Sequence, residues 1–484
     1  MTETTVPSSS PADTPLVVDL DGTLIRTDLL YESFWRTAAA EPRAAGAAIV
    51  ELRHGRAALK QRLRTATDLD PARLPYDEEV LEILRAARHD GATVVLCTAS
   101  DQGYADAIAA HLGLFDEVHG SDGERNLKGE EKARFLVQRY GAGGYDYIGD
   151  SAADLPVWRS ARRAIAVGLD RRSRGKVATA GGEIRHLERT PAGPAVYLKA
   201  MRPHQWLKNM LVFLPPIAAH DFTPATWFAA LAAFVSFSLV ASSVYLLNDL
   251  LDLQADRAHP RKRERPLASG RLPLSRGTMA AALLLLAGIV VAFLPGRWEF
   301  LAAMFAYYVL TTAYSLALKR RLVIDICTLA GLYTLRIIAG AAATGIPLSE
   351  WLLGFSVFFF LSLAAVKRQA ELVDTIASGR EGAAGRAYRG DDLPIVSTMA
   401  IAAGYGSVLL LALYLNSPVV RTLYAQPLLL WGVLPVLLYW VSRMAMRAHR
   451  GQMDDDPIVF AVRDRVSRLC GGVVGALVLA GSLL

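Results

Sequence analysis

The sequence predicts two parts: an N-terminal α/β domain with a parallel sheet and a helical cap, then a C-terminal all-α polytopic membrane bundle of about nine transmembrane helices. Three observations carry this. Residues 1–190 read as soluble, whereas residues 205–484 are dominated by apolar runs near or above the roughly 20 residues that a bilayer span needs. In the first part, short apolar strands that end in acids or hydroxyls alternate with helical patterns. In the second, basic residues gather on one set of loops. The chain is 52% apolar, with a mean hydropathy of +0.27, which is high for a soluble protein. Its net charge of +6 collects at span ends, where it sets orientation and implies no nucleic-acid partner.

The first residues, Met1 to Pro15, are rich in Ser, Thr and Pro, with no basic flank and no apolar stretch. They read as a disordered lead over 1–13 and not as a signal peptide. Cys97, Cys327 and Cys470 fall in a strand and two spans without metal spacing, so they read as small core residues and not as a disulfide framework.

The run Leu16-Val-Val-Asp19-Leu-Asp21-Gly22-Thr23 is a strand that ends in two aspartates. Acids at i and i+2 point to one side of an extended chain, which suits one as nucleophile and the other as acid/base. A second strand ends at Thr98, Lys128 precedes a helix, and a third strand ends in Asp150 with Asp154 beyond it. Each position lies at the C-terminal end of a strand, where open α/β sheets place their sites. These four motifs resemble the haloacid-dehalogenase-like (HAD) phosphatases over residues 14–170, a Rossmannoid fold.

The resemblance implies that Asp19 attacks phosphorus and that Asp21 protonates the leaving oxygen and then activates water. It implies that Thr98 and Lys128 bind phosphoryl oxygens, with Lys132, one turn on, as the second candidate for the lysine. Asp150, with Asp154 near it, would complete a Mg²⁺ site with Asp19 and the Asp21 main-chain carbonyl. Residues 26–80 read as the helical cap, with Tyr31, Phe34, Trp35 and Leu52 on its apolar face. His54, His89, His111 and His119 lack metal spacing and read as surface or packing residues.

Residues 171–195, basic and glycine-bearing, read as a linker resting against anionic headgroups or simply solvated. Spans follow at 210–219, 225–250, 278–295, 298–317, 322–343, 350–367, 393–415, 426–443 and 466–484. The loops at 257–276, 319–321, 367–389 and 443–450 share one side and hold most of the Lys and Arg. That side is expected to be cytoplasmic, which places the N-terminal domain there too.

At the end of the 225–250 span, Asp249, Asp252 and Asp256 fall within about 60° of one another on an ideal helix, with Asn248 beside them. Like charges on one stripe repel unless a divalent cation sits among them, and such hard ligands suit Mg²⁺ holding a diphosphate. Arg257, His259, Lys262 and Arg265 follow. This pairing suits a metal-bridged anionic ligand. Further polar groups are Lys208, Tyr314, Lys319, Asp325 and Lys367, and Arg336 lies about 16 Å along the helix from Asp325. An arginine that deep in an apolar run needs a partner or a ligand.

With these residues, 196–484 resemble the UbiA superfamily of membrane prenyltransferases. Its first aspartate motif is matched by Asn248, Asp249, Asp252 and Asp256. The second motif is incomplete, because Leu329 stands where an acid would follow Asp325. The segments at 202–209, 259–270 and 314–336 are most similar to the decaprenyl-phosphate phosphoribosyltransferase branch. The resemblance implies 5-phosphoribosyl diphosphate as donor and a polyprenyl phosphate lipid as acceptor. The phosphatase would then act on the lipid-linked phosphoribose, toward cell-wall arabinan precursors. Transfer of a prenyl group to an aromatic or other small acceptor is the alternative, and a lipid carrier with a regulatory domain is a third. The oligomeric state is left open.

Overall fold

Alternate residues of the first strand face opposite layers, which makes it the centre of a sheet covered on both sides. Leu16 and Val18 pack into one apolar cluster with Val94, Leu96 and Ile148, while Val17 joins Val95, Cys97 and Tyr147 in the other. The computed structural model describes residues 14–483 apart from 52, 54–62, 64–69, 123–124, 170, 179–182, 380–385 and 454–455. The lead at 1–13, Leu52 and His54 lie outside the described residues.

The six strands are β1 (Leu16–Val18), β2 (Val94–Asp101), β3 (Glu117–Ser121), β4 (Asp146–Gly149), β5 (Arg163–Val167) and β6 (Glu183–Leu187). They are parallel, in the order β3-β2-β1-β4-β5-β6. The direction of winding reverses between β1 and β4, and a crevice opens at the carboxyl ends of strands at such a point. Asp19 follows β1 and Asp150 follows β4. The expected linker at 171–195 is corrected: Arg171–Ala178 is helical and β6 extends the sheet, its Ile184 pairing with Ala164. Apolar Ile184 and Leu187 let an otherwise polar segment join as an edge strand.

Between β1 and β2 lie α1 (Leu29–Ala40), α2 (Pro42–Glu51) and α3 (Glu78–His89). Asp28 caps α1 by accepting from Leu30 N–H, and Trp35 is on its buried side. Phe34 packs with Ala48 and Leu63 in a separate small cluster.

The compact units divide differently from the expected domain boundaries. One comprises Met1–Met201 with Leu246–Ala280, the other Arg202–Tyr245 with Ala281–Leu484. The acidic stretch thus belongs with the sheet domain. Trp35 Nε1 donates to Thr278 Oγ1 at 3.0 Å, and Gly270, at φ +71°, lies against Arg26 so closely that a Cβ there would come within 2.7 Å of the Arg26 carbonyl oxygen.

Seven helices among the described residues are long and apolar enough to cross a membrane: Pro224–Leu251, Leu274–Ala292, Ile324–Thr344, Glu350–Ala377, Gly390–Leu415, Pro427–His449 and Arg465–Leu483. Two of the nine expected spans are absent from that set. Residues 210–219 form a 3₁₀ turn running into Leu214–Ala218, where Pro215 and Pro216 prevent a long helix. Trp298–Leu316 is helical, but its tyrosines, threonines and Glu299 lower its hydropathy. Phe228, Leu283, Val290, Phe305 and Leu409 are exposed on these helices, as lipid-facing residues are. Cys327 is also exposed and Cys470 half-buried, so of the three free cysteines only Cys97 is a core residue.

Candidate functional site

Three carboxylates converge at the sheet's crevice. Asp19, Asp150 and Asp154 bring ligand oxygens within 4.8 Å of one another. Gly22, at φ +76°, passes so close to Asp150 that a Cβ would sit 2.2 Å from its Oδ2. Burial, with the charges of Asp19 and Asp154, pushes the Asp150 carboxyl well above the usual carboxylate range. Burial also raises Asp19, against the pull of Lys132. Such a cluster of hard oxygen donors fits a divalent cation.

The lysine of this site is Lys132, not Lys128. Lys128 is exposed, two residues ahead of the helix Glu130–Tyr140, whereas Lys132 sits on the inward face of that helix's first turn. Its Nζ donates to Asp19 Oδ1 and to the Tyr147 hydroxyl, both at 2.9 Å. Burial lowers the ammonium's pKa, but Asp19 and Asp154 more than offset this and hold it raised. Asp154 accepts from Tyr147 OH at 2.9 Å and from Ser151 N–H at 3.1 Å, so both its oxygens are already engaged.

Asp21 is held by two groups that the sequence did not single out. Leu29 N–H, the first amide of α1, donates to its Oδ1 at 2.8 Å, and the Ser100 hydroxyl donates to Oδ2. Burial, reinforced by Asp28, lifts Asp21 to about 7. Thr98 is fully buried and its hydroxyl accepts from Ser100 N–H at 3.0 Å, positioning the loop that carries Ser100. Arg189, just past β6, donates to the Gly22 carbonyl at 2.6 Å and bonds to Asp77 at 2.5 Å, fastening the loop after β1.

The acidic stretch departs from the expected single stripe. The span ends at Leu251 and a new short helix begins at Leu253, with Asp252 as its cap at ψ 11°. Asp249 and Asp256 are buried, and Arg265 Nη1 lies between them, 3.2 Å from Asp249 and 2.5 Å from Asp256. Burial lifts Asp256 to about 6 despite that arginine. Among the described residues these three acids are not brought together as the Asp19 trio is, because a guanidinium occupies the position between two of them. Asn248 and Asp252 are half-buried beside them, and Lys262 is exposed. His259 Nδ1 accepts from Arg261 N–H at 3.2 Å, a local turn contact. Arg257 is paired with the cap: both its Nη atoms bond Glu32 of α1, at 3.0 and 2.6 Å, and the pair is buried.

Within the second unit, the remaining expected binding residues are mostly satisfied internally. Arg336 donates to Asn209 Oδ1 at 2.8 Å, to the Leu332 carbonyl at 2.6 Å and to Tyr307 OH at 3.1 Å. Asp325, fully buried, pairs with Arg368 at 2.7 Å and Arg386 at 3.1 Å and accepts from Tyr314 OH at 2.8 Å. Lys208 pairs with Asp456. Lys319 and Lys367 are half-buried, and the Lys319 carbonyl accepts from Arg386. Arg336, Asp325 and Lys208 are thus each engaged in an internal network, as buried charges in an apolar bundle require.

The family model "UbiA prenyltransferase family" matches residues 210–463, more than half of the 484. The chain belongs to the UbiA prenyltransferase family. The UbiA region is preceded by a HAD domain, matched at 16–159 by "haloacid dehalogenase-like hydrolase". Both families are enzymes, and the UbiA chain is an integral membrane protein. It is 38% identical over 467 residues to "Uncharacterized protein y4nM" of Sinorhizobium fredii, which covers 96% of this chain and 90% of that one. At that coverage the alignment includes most of both matched regions, so the fusion recurs there. "Nodulation protein NoeC" of Azorhizobium caulinodans is 39% identical over 57% of this chain and 89% of its own length. "Decaprenyl-phosphate phosphoribosyltransferase" of Mycolicibacterium smegmatis is 41% identical over 184 residues, 36% of this chain; the UbiA chain spans a little over half, 56%, of that relative.

Proposed function

We propose that the membrane half transfers 5-phosphoribose from 5-phosphoribosyl diphosphate to a polyprenyl phosphate, and that the HAD domain then removes the 5-phosphate from the lipid-linked product. The observation that carries the coupling is the buried pair of Glu32 and Arg257, which joins the phosphatase cap to the acidic stretch of the transferase. The choice of donor is supported by the 41% identity to the mycobacterial phosphoribosyltransferase and by the missing second acid at Leu329. The basic loops favour a cytoplasmic face for both sites.

In the transferase, a lipid phosphate oxygen attacks C1 of the ribose, the C1–O bond to diphosphate breaks, and diphosphate leaves. Asp249, Asp252 and Asp256 would hold Mg²⁺ once Arg265 has left its place between Asp249 and Asp256, and the cation when bound would neutralise the diphosphate. Arg265, which now balances Asp249 and Asp256, would turn to the leaving group, with Lys262 beside it.

In the phosphatase, the Asp19 carboxylate attacks the 5-phosphate, and the ribose oxygen leaves with the proton of Asp21. Asp21 then takes a proton from water as that water attacks the aspartyl phosphate and releases inorganic phosphate. Lys132 holds Asp19 and balances the phosphoryl charge, while Leu29 N–H and Ser100 orient Asp21. Asp19, Asp150 and the Asp21 carbonyl would hold Mg²⁺, with Asp154 fixing Lys132 from behind.

Full-length protein in vesicles, given labelled 5-phosphoribosyl diphosphate, decaprenyl phosphate and Mg²⁺, is expected to yield lipid-linked ribose phosphate and its dephosphorylated form. Asp19→Asn is expected to leave only the first. Turnover of a prenyl diphosphate with an aromatic acceptor, and no ribose-bearing lipid, would replace this reading with prenyl transfer.

A further inference from the structure

Helix α1 touches both candidate sites of the first unit. Its first amide donates to Asp21, and one turn on, Glu32 closes on Arg257, the residue after Asp256. Farther along, Trp35, Arg36 and Ala39 wall one side of a cavity of about 390 Å³, and Leu251, Leu253 and Gln254 of the acidic stretch wall the other. That volume lies in the range of small-molecule sites.

Among the described residues, two buried polar atoms on this lining have no hydrogen-bond partner: Arg36 Nη1 and Gln254 Oε1. The other charged lining groups are engaged, Arg73 with Asp70 at 2.9 Å and Glu32 with Arg257. A guanidinium N–H lacking an acceptor and a carboxamide oxygen lacking a donor are both destabilising until something supplies the missing halves. The complement is a molecule with an anionic oxygen for Arg36, a hydroxyl for Gln254 and an apolar flank for Trp35, Leu251 and Leu253.

We infer that this cavity binds the ribose-phosphate end of the lipid-linked intermediate, with its first isoprenoid units against Trp35 and the leucines. The inference rests on the proposed function and adds a holding site bordered by the acidic stretch and by the helix whose first amide orients Asp21. The free donor carries the same ribose 5-phosphate but no isoprenoid, so the apolar wall favours the lipid-linked species.

The test uses full-length protein in vesicles with labelled donor and decaprenyl phosphate, following the ratio of lipid-linked phosphoribose to its dephosphorylated form. Arg36→Ala is expected to raise that ratio by about 10-fold or more, the loss of one hydrogen bond to a charged group. Arg36→Lys recovers part of it, and Leu251→Trp, which fills the cavity without altering charge, raises it likewise. Hydrolysis of p-nitrophenyl phosphate, too small to need the cavity, falls much less. An unchanged ratio in both Arg36→Ala and Leu251→Trp overturns the inference. So does an equal fall in p-nitrophenyl phosphate hydrolysis, because Arg36 would then act through the catalytic loop, and so does a raised KM for the donor at constant ratio. Absence of any ribose-bearing lipid from the unaltered protein is a distinct result that removes the functional reading itself.

Discussion

Glu32 and Arg257 form a buried, two-pronged ion pair 225 positions apart in sequence, with Oε1 to Nη2 at 2.6 Å and Oε2 to Nη1 at 3.0 Å. Thr27 donates to the same carboxylate at 2.7 Å and the Ala268 carbonyl accepts from Arg257 Nε at 3.0 Å, so the pair is satisfied at both ends.

Removing one member leaves the other charged and buried without its counter-ion. Glu32→Ala is expected to cost about 3 kcal/mol, in the range for breaking a buried pair. The combined Glu32→Leu and Arg257→Leu variant should recover much of that loss. Thermal unfolding of the detergent-solubilised chain measures both; equal losses in the single and double variants would show that the pair does not act as a unit.

Lys132→Ala is expected to lower phosphomonoester turnover by roughly 100-fold or more, the usual effect of deleting a group that stabilises developing charge. Lys128→Ala should stay within about twofold, as an exposed side chain does. Steady-state hydrolysis of p-nitrophenyl phosphate separates the two lysines.

Asp325 and Arg368 make the corresponding test in the bundle. Arg368→Leu should destabilise the protein by about 3 kcal/mol because Asp325 then keeps only part of its compensation. A raised KM for the donor with unaltered thermal stability would instead assign Asp325 the role of a ligand group.

Glu117 gives a pH signature in the sheet domain. The Arg139 guanidinium holds its carboxyl down to about 2 against slight burial, helped by Tyr140 and His119. A depressed folded-state pKa stabilises above the unfolded value, near 4.5, and that contribution fades as pH falls toward 2. Glu117→Gln should therefore lower the melting temperature near pH 6 and converge with the unaltered protein at the acid end. Glu117 is half-buried and Arg139 exposed, so solvent screens the pair and the shift should be small.

The strand-end acids were legible because a period of two and a short strand fix where Asp19, Asp21 and Asp150 emerge. Lys132 was harder to read, since its assignment depended on where the helix starts, and helix boundaries are poorly marked in sequence. The acidic stripe assumed an unbroken helix; the break at Asp252 and the entry of Arg265 are tertiary events that periodicity does not encode. Arg336 was legible as an arginine needing a partner, but Asn209 and Tyr307, its partners, lie more than a hundred residues before it and about thirty before it, respectively. Arg386, Asp456 and Ser100 gave no local signal beyond their polarity. The edge strand β6 was hidden by its charge, since only Ile184 and Leu187 point to burial.

Arg189 lies thirty residues beyond the end of the hydrolase match at 159, yet it clasps the Gly22 carbonyl directly behind the nucleophile. A soluble fragment cut at that boundary would shed β5, β6 and this clasp, leaving the catalytic turn slack and a central strand stripped of its neighbour. Anyone wishing to isolate the water-soluble half should carry it past residue 189, and even then Glu32 would face solvent without its arginine.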